Sequence, residues 1–333
     1  MNIEKIFNKT WHLIAHASDL NKANKYVCFE TLIGDVAIFN DGYELVAFDN
    51  LCPHRGARFF PIGSGVQRLK CRYHGWSYKN RKMLIPHEKN LQNSSSATLN
   101  TFSVEMCGEF VFFSVSPENS LREQLGNFYD ELALISQKLE KLDEDQYIYE
   151  CPAFVAVENA LEPIHVPFIH KDSLAKLDLT DMKNTFEKSN SLVEFSVNNS
   201  RSLGLIKRTN SFFELNYDRG GYWSFHVFPF AFISSTNSQT FSVQSFLPLS
   251  ENSTTFSSSL YCSPKEESKK SEIFKQYINS IATLNRKVFE EDHNVCKLIS
   301  HKGWMSTFRA PLYRDEIKVS FFREQLKKYN NDD

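Results

Sequence analysis

The stretch NLCPHRGARFFPIGSGVQRLKCRYHGWSY, residues 50 to 78, restricts the possible folds of this chain more than any other. It sets Cys52 two residues before His54 and Cys71 three residues before His74, with sixteen residues between His54 and Cys71. Each Cys/His pair has to come from one tight loop tip. Pro53 and Gly56 stiffen and turn the first tip, and Gly75 turns the second. Zinc fingers space their ligands as C-x2-4-C and H-x3-5-H. One Cys and one His per tip instead suits a sulfide-bridged pair of irons, one iron held by two thiolates and the other by two imidazoles. Neutral imidazoles reduce the negative charge of such a cluster, so an electron is easier to add. Mixed-ligand zinc, a cysteine nucleophile and four coincidental loop residues are the competing readings. Neither cysteine carries a nucleophile motif.

The motif CPHRGARF…CRYHGWSY resembles the Rieske box of the Rieske non-haem iron oxygenases, C-P-H-R-G followed by C-x-Y-H-G-W, in ligands and flanking residues alike. The resemblance implies a 2Fe-2S cluster bound by Cys52, His54, Cys71 and His74. Arg72 departs from the pattern, standing where many members carry Pro; it is not a ligand, so the expected effect is local.

The box sits in a β-rich N-terminal part. Residues 26–49 form short runs broken by GD and NDG, which are hairpin signals, and FSVEMCGEFVFFSVS (102–116) closes this half. Residues 1–118 are therefore expected to form an all-β Rieske 2Fe-2S domain, and 119–333 a catalytic mononuclear non-haem iron domain. Residues 119–148 read as charged linker helix. Strand-like runs follow at 192–197, 211–217, 222–228, 240–247 and 254–262, then a long amphipathic helix from 266 to about 300 and a frayed tail KKYNNDD. The fold class is α+β, an antiparallel sheet covered by a long C-terminal helix. By resemblance that catalytic domain is of the helix-grip, START-like kind.

A Rieske box alone could serve an electron carrier. The segment VENALEPIHVPFIH argues for more, because it holds Asn159, Glu162, His165 and His170. Two imidazoles from one segment are most of a 2-His-1-carboxylate triad, the site type that leaves iron(II) positions open for dioxygen. Residues 162 and 165 share a helical face, and Pro167 is expected to break the helix so that both rings converge. For the third ligand, the stripe Phe274, Tyr277, Ile281, Leu284, Val288, Val295, Ile299 leaves one gap, filled by Asp292. A buried carboxylate is costly unless paired or metal-bound; a salt bridge is the competing role. Glu290 and Glu291 read as solvated. Family resemblance agrees, since an ED pair late in the chain carries the iron-binding Asp.

Glu162 stands where most members of the family have Asp, although branches acting on quaternary amines are similar to this chain. By resemblance it bridges electron transfer between subunits, pairing His165 with the Rieske His74 of a neighbour, with Asn159 close by in the catalytic segment. In GYWSFHVFPFAF, alternation puts Tyr222, Ser224, His226 and Phe228 on one face. His226, with Phe228 beside it, is the candidate substrate-pocket group; sheet core is the other reading of the same stripe.

The implied protein is the terminal oxygenase of a multicomponent system. It would use O2 to hydroxylate, or oxidatively O- or N-demethylate, a small aromatic, natural-product or amine substrate. Cis-dihydroxylation and desaturation or oxidative cyclisation are alternatives on the same scaffold. A non-catalytic Rieske electron-transfer protein and a zinc-stabilised ligand-binding module are the other classes. There is no G-x-G-x-x-G after a strand and no plant-type C-x4-C-x2-C. NAD(P)H is therefore expected to act indirectly, through a separate reductase and perhaps a ferredoxin. A homotrimer is implied, a head-to-tail ring that brings two centres together across a closing interface. A net charge of −2 without sustained basic runs excludes nucleic acid as a partner. No apolar run is long enough to span a bilayer. Seven cysteines without a signal peptide point to the cytoplasm.

Overall fold

The computed structural model describes residues 1–79, 81–90 and 98–329. Residues 330–333 of the tail lie outside them. Strands β1 (His12–His16), β2 (Lys25–Thr31), β3 (Gly34–Asn40), β4 (Leu45–Asp49) and β5 (Gly63–Val66) precede a small hairpin, β6 (Ser77–Lys79) and β7 (Lys82–Leu84). With β8 (Thr101–Cys107) and β9 (Phe110–Ser114) they build a seven-stranded sheet in the order β1-β9-β8-β4-β3-β2-β5. Every pairing in it is antiparallel. The two Cys/His loops project from beyond β4 and β5.

A second seven-stranded antiparallel sheet follows in the order β10-β16-β15-β14-β13-β12-β11. Its strands are β10 (Glu140–Tyr149), β11 (Leu179–Glu187), β12 (Asn190–Val197), β13 (Tyr222–Val227), β14 (Ala231–Thr236), β15 (Phe241–Ser250) and β16 (Ser253–Cys262). The α+β architecture, a β-rich N-terminal part followed by an antiparallel sheet gripped by helices, is as the sequence implied.

Several local readings are corrected. Residues 119–148 are helical only as α2 (Leu121–Leu125) and α3 (Phe128–Ile135), after α1 (Ile3–Lys9) at the N-terminus; from Glu140 onward they form β10. Its side chains are charged and half-exposed, so periodicity gives no signal, and pairing along β16 from Glu140↔Cys262 to Tyr149↔Thr254 makes the strand. The run 211–217 is no strand: Asn210–Phe212 is a tight turn, and Phe213 tucks against Phe274 with ring centroids 5.9 Å apart. The run 222–228 ends at β13, and the chain turns at Pro229 so that β13 and β14 form a hairpin closing at Val227↔Ala231.

Helices α4 (Ala153–Leu161) and α5 (Val166–Ile169) carry the catalytic segment. After α6 (Ser200–Thr209), the long helix α7 (Glu272–Cys296) crosses the sheet, followed by α8 (His301–Thr307) and α9 (Ile317–Lys328). The buried face of α7 is Phe274, Ile278, Ala282, Val288, Phe289 and Cys296, one step round from the expected stripe. Among the described residues no helix is long and apolar enough to cross a membrane.

One core runs through both halves, joining Val27, Phe29 and Val36 to Phe154, Phe246, Phe256 and Phe322. The N–H of Leu32 donates to Pro248 O at 2.7 Å, and Thr255 Oγ1 donates to Glu30 O at 2.7 Å, tying β2 to the second sheet.

Helix α9 is locked to α4 by a buried fork. Arg323 donates through Nε and Nη2 to the two oxygens of Glu158 at 2.7 and 2.6 Å, with side chains 11% and 12% exposed. Burial pushes the Glu158 carboxyl up, while the guanidinium opposes it. Removing one partner leaves an uncompensated buried charge. Arg323→Met is expected to cost about 3–5 kcal/mol in denaturant unfolding. A loss below about 1 kcal/mol would mean that α9 docks through its apolar face alone.

Candidate active site

The two Cys/His tips are built alike. In each, the Cys N–H donates to a carbonyl five residues on, Cys52 to Ala57 O at 2.9 Å and Cys71 to Trp76 O at 2.7 Å. The Gly four residues on donates back to the Cys carbonyl, Gly56 at 2.8 Å and Gly75 at 3.0 Å. Closing this turn puts both glycines at positive φ, +68° and +77°, which a Cβ would strain. Cys52 and Cys71 are buried, whereas His54 and His74 are exposed with ring centroids 4.6 Å apart. Trp76 stacks on His54 at 4.7 Å and fixes its plane. Burial pushes the Cys52 thiol up, with Cys71 adding to the shift. Two buried sulfurs beside two exposed imidazoles fit a 2Fe-2S cluster, whose irons would supply the positive charge that the thiolates lack. Arg72 points away to Gln67 Oε1 at 3.0 Å, a local effect as expected.

The second centre starts where α4 stops. Pro163 disfavours helical backbone at Glu162, which turns extended (φ −103°, ψ 140°). This corrects the expected break at Pro167, which sits in the first turn of α5, where proline is tolerated. Glu162 then nucleates the next turn: its Oε2 accepts from Ile164 N at 2.5 Å and His165 N at 3.1 Å. Its Oε1 lies 2.7 Å from His165 Nδ1. Across the site, Glu291 Oε2 lies 2.8 Å from His170 Nδ1 and accepts from Ser173 Oγ at 2.7 Å.

A carboxylate can only accept, so both rings donate through Nδ1–H and turn an Nε2 lone pair inwards. Those Nε2 atoms lie 3.2 Å from each other, and Asp292 Oδ1 lies 3.5 Å from that of His165 and 3.0 Å from that of His170. Three acceptors at such distances repel unless a cation sits among them. Octahedral neighbours on bonds of about 2.1 Å stand about 3.0 Å apart, so the residues fit one metal ion. Asn159 Nδ2 donates to Asp292 Oδ1 at 2.8 Å and aims it. Burial pushes the His170 imidazole down, but Asp292 and Glu291 outweigh it and the net shift is upward. Positive charge is favoured at this point.

The structure brings Asn159, Glu162, His165, His170 and Asp292 together. The sequence reading missed Glu291. Far from being solvated, this side chain orients His170 in the way a carboxylate beside a metal-bound imidazole does. The available signal was a second carboxylate adjacent to the candidate ligand on one helix. Glu291→Gln is expected to weaken iron binding at this centre about 10–100-fold in a metal titration. Unchanged affinity would reduce the contact to packing.

Of these residues, Glu162, His165, His170 and Asp292 line a cavity of about 350 Å3, within the range of small-molecule sites. Phe195, Tyr222, Ser224, Phe232, Ser234 and Gln244 contribute to its sheet wall. His226 and Phe228 do not line it, which corrects their assignment to the pocket. The face was read correctly but at the wrong end: His226 lies two residues, about 7 Å, beyond Ser224, under α9. It is 1% exposed, its ring 5.4 Å from that of Phe322, and Nε2 lies 3.2 Å from Pro229 O. Phe228 packs on Phe322 and Tyr329.

Residues 10–99 match the Rieske 2Fe-2S domain family, and residues 155–331 match the ring hydroxylating alpha subunit (catalytic domain) family. The carnitine monooxygenase oxygenase subunit of Escherichia coli (strain K12) is 36% identical over 131 residues, 37% of this chain and 34% of that protein. The chloroplastic choline monooxygenase of Beta vulgaris is 29% identical over 199 residues, 55% of this chain and 44% of that protein. The match thus spans about a third to a half of these relatives' length. In fold, the chain is similar to the quaternary ammonium Rieske monooxygenase CntA in complex with L-carnitine. The TM-score is 0.78 at 19% identity, over 98% of this chain and 91% of that one. The catalytic-domain family alone matches more than half of the chain, and the chain belongs to the Rieske oxygenases with a ring-hydroxylating alpha-subunit catalytic domain.

Proposed function

We propose that this protein is the terminal oxygenase of a multicomponent system and monooxygenates a small aromatic, natural-product or amine substrate by hydroxylation or oxidative demethylation. The observation that carries the reading is the convergence of His165, His170 and Asp292 in the wall of the 350 Å3 cavity. A cluster on the Cys/His tips would supply single electrons, and iron(II) at the second centre would activate dioxygen.

The chain's own residues supply the rest. Glu162 and Glu291 hold the two Nδ1 protons and so keep both Nε2 lone pairs available. Phe195, Tyr222, Phe232 and Phe289 give the cavity aromatic faces, suited to a planar ring or, by cation–π attraction, to a quaternary ammonium. The relatives named as carnitine and choline monooxygenases favour monooxygenation and an amine.

Electrons come from a separate reductase, directly or through a ferredoxin, so that NAD(P)H acts at one remove. Working as a homotrimer would let the cluster of one protomer serve the iron of the next. Two exposed edges support this: His54 and His74 at the cluster tip, and α5 with Phe168 70% exposed. Glu162 would be the bridge between them. All seven cysteines are unpaired and buried, which supports a cytoplasmic setting.

The test is a product screen by mass spectrometry with a surrogate reductase and a library of aromatic and amine substrates. Gain of one oxygen or loss of a methyl group is the expected result. Electron transfer to other proteins without substrate-dependent oxygen uptake would make this an electron carrier instead.

A further inference from the structure

The cavity wall contains one lysine or arginine, Lys318, in the first turn of α9. It is 4% exposed. Lysine is almost never buried this far unless paired, because its flexible stem ordinarily carries the ammonium to water. Here it has no partner: among the described residues no acceptor lies within hydrogen-bonding distance of Nζ and no carboxylate within ion-pairing distance. Glu162 acts on it through space, favouring its charge. Both oxygens of Glu162 are already engaged, by the N–H groups of Ile164 and His165 and by His165 Nδ1. Elsewhere on the wall, Ser224 Oγ and Ser234 Oγ lie 2.8 Å apart, Gln244 Nε2 donates to Ser242 Oγ beside the wall at 3.1 Å, and Asp178 is exposed.

An ammonium buried without an acceptor costs free energy that a ligand anion would recover. Burial pushes the Lys318 amine down to about 7, and an anion beside it would restore the charge. A titratable group perturbed by burial inside a cleft is a candidate functional group.

We propose that Lys318 is an anion subsite of this cavity, so that the molecule oxidised at the His165–His170–Asp292 end carries a carboxylate. Oxidation at that end rests on the oxygenase reading; the carboxylate recognition stands on Lys318 itself. A carboxylate would accept two or three N–H bonds from the ammonium and fix the distance from the anionic group to the reacting carbon. A zwitterion with its cationic end on the aromatic faces fits both parts of the wall.

The test measures binding by calorimetry, without turnover, on the holoprotein. The probes are benzoate, phenylacetate, trimethylglycine and 4-(trimethylammonio)butanoate, each against its methyl ester. For the best-fitting pair the acid is expected to bind at least about tenfold tighter than the ester. Lys318→Met should erase that ratio while leaving the ester's affinity unchanged, and Lys318→Arg should keep part of it. Visible absorption and iron content establish that each variant is intact. Equal binding of acids and esters to the natural protein, a preference surviving in Lys318→Met, equal weakening of both partners, or no binding of any probe would each overturn the proposal. Acids that bind through Lys318 but elicit no oxygen uptake with reductase present would uphold the subsite and sink the oxygenase reading.

Discussion

Asp292→Ala is expected to abolish product formation while leaving the visible absorption of the 2Fe-2S cluster intact. Asp292 contributes one of three inward donor atoms, 3.0 Å from His170 Nε2 and 3.5 Å from His165 Nε2. With two donors left, the ion loses a charged ligand and the geometry that keeps adjacent positions open. The loss should far exceed the ~10–100-fold typical of deleting an outer partner of a metal ligand. Iron analysis should find the cluster iron retained and the mononuclear iron gone. Continued turnover with full iron content would pass the ligand role to Glu291 or Glu162, each already within hydrogen-bonding distance of a histidine Nδ1.

Glu162→Gln separates holding the iron from feeding it electrons. Glutamine keeps the size but has one accepting oxygen. It can serve either the backbone N–H groups of Ile164 and His165 or His165 Nδ1, not both, and it carries no charge. Both metals are expected to stay bound, because neither Glu162 oxygen is among the three converging donors. Reoxidation of the reduced cluster in a single turnover should slow about 10–100-fold. An unchanged rate would remove Glu162 from the electron path, and loss of iron would recast it as a residue that only positions His165.

How much of this was legible in the sequence depends on how far apart the cooperating residues lie. The pairs Cys52/His54 and Cys71/His74 each occupy one turn, and Gly56 and Gly75 advertise that turn because they alone take its positive φ cheaply. Asp292 was legible for a different reason, as a carboxylate interrupting a buried helical stripe. Asp292 faces the site even though the buried stripe lies one step round from the expected one, with Ile278 and Ala282 inward in place of Ile281 and Leu284. Helical periodicity tolerates such an error, since an inward arc covers several adjacent positions. The same tolerance hid Glu291: one residue before Asp292, it is still within reach of the site.

The strands show the opposite case. β10 has no apolar alternation, and its partner β16 alone makes it a strand; the run 211–217 has the alternation but pairs only through the isolated bridge Phe213↔Pro264. Along β13, period two named the right face at Tyr222 and Ser224, then carried the pocket on to His226 and Phe228. A face says nothing about which end of it another element covers.

By itself, then, the sequence determined the chemistry that short stretches of chain can hold: two Cys/His tips and an E-x2-H-x4-H segment. Bond geometry and local turn preferences set those spacings wherever the segments end up. The tertiary structure decided what lies across from them. It brought α7 to within 3.0 Å of His170 over 122 residues of chain, buried His226 under Phe322, and set the Lys318 ammonium in the cavity wall. Those outcomes follow from how sheet and helices pack on a shared core, a balance of contacts summed over the whole chain that no local period encodes.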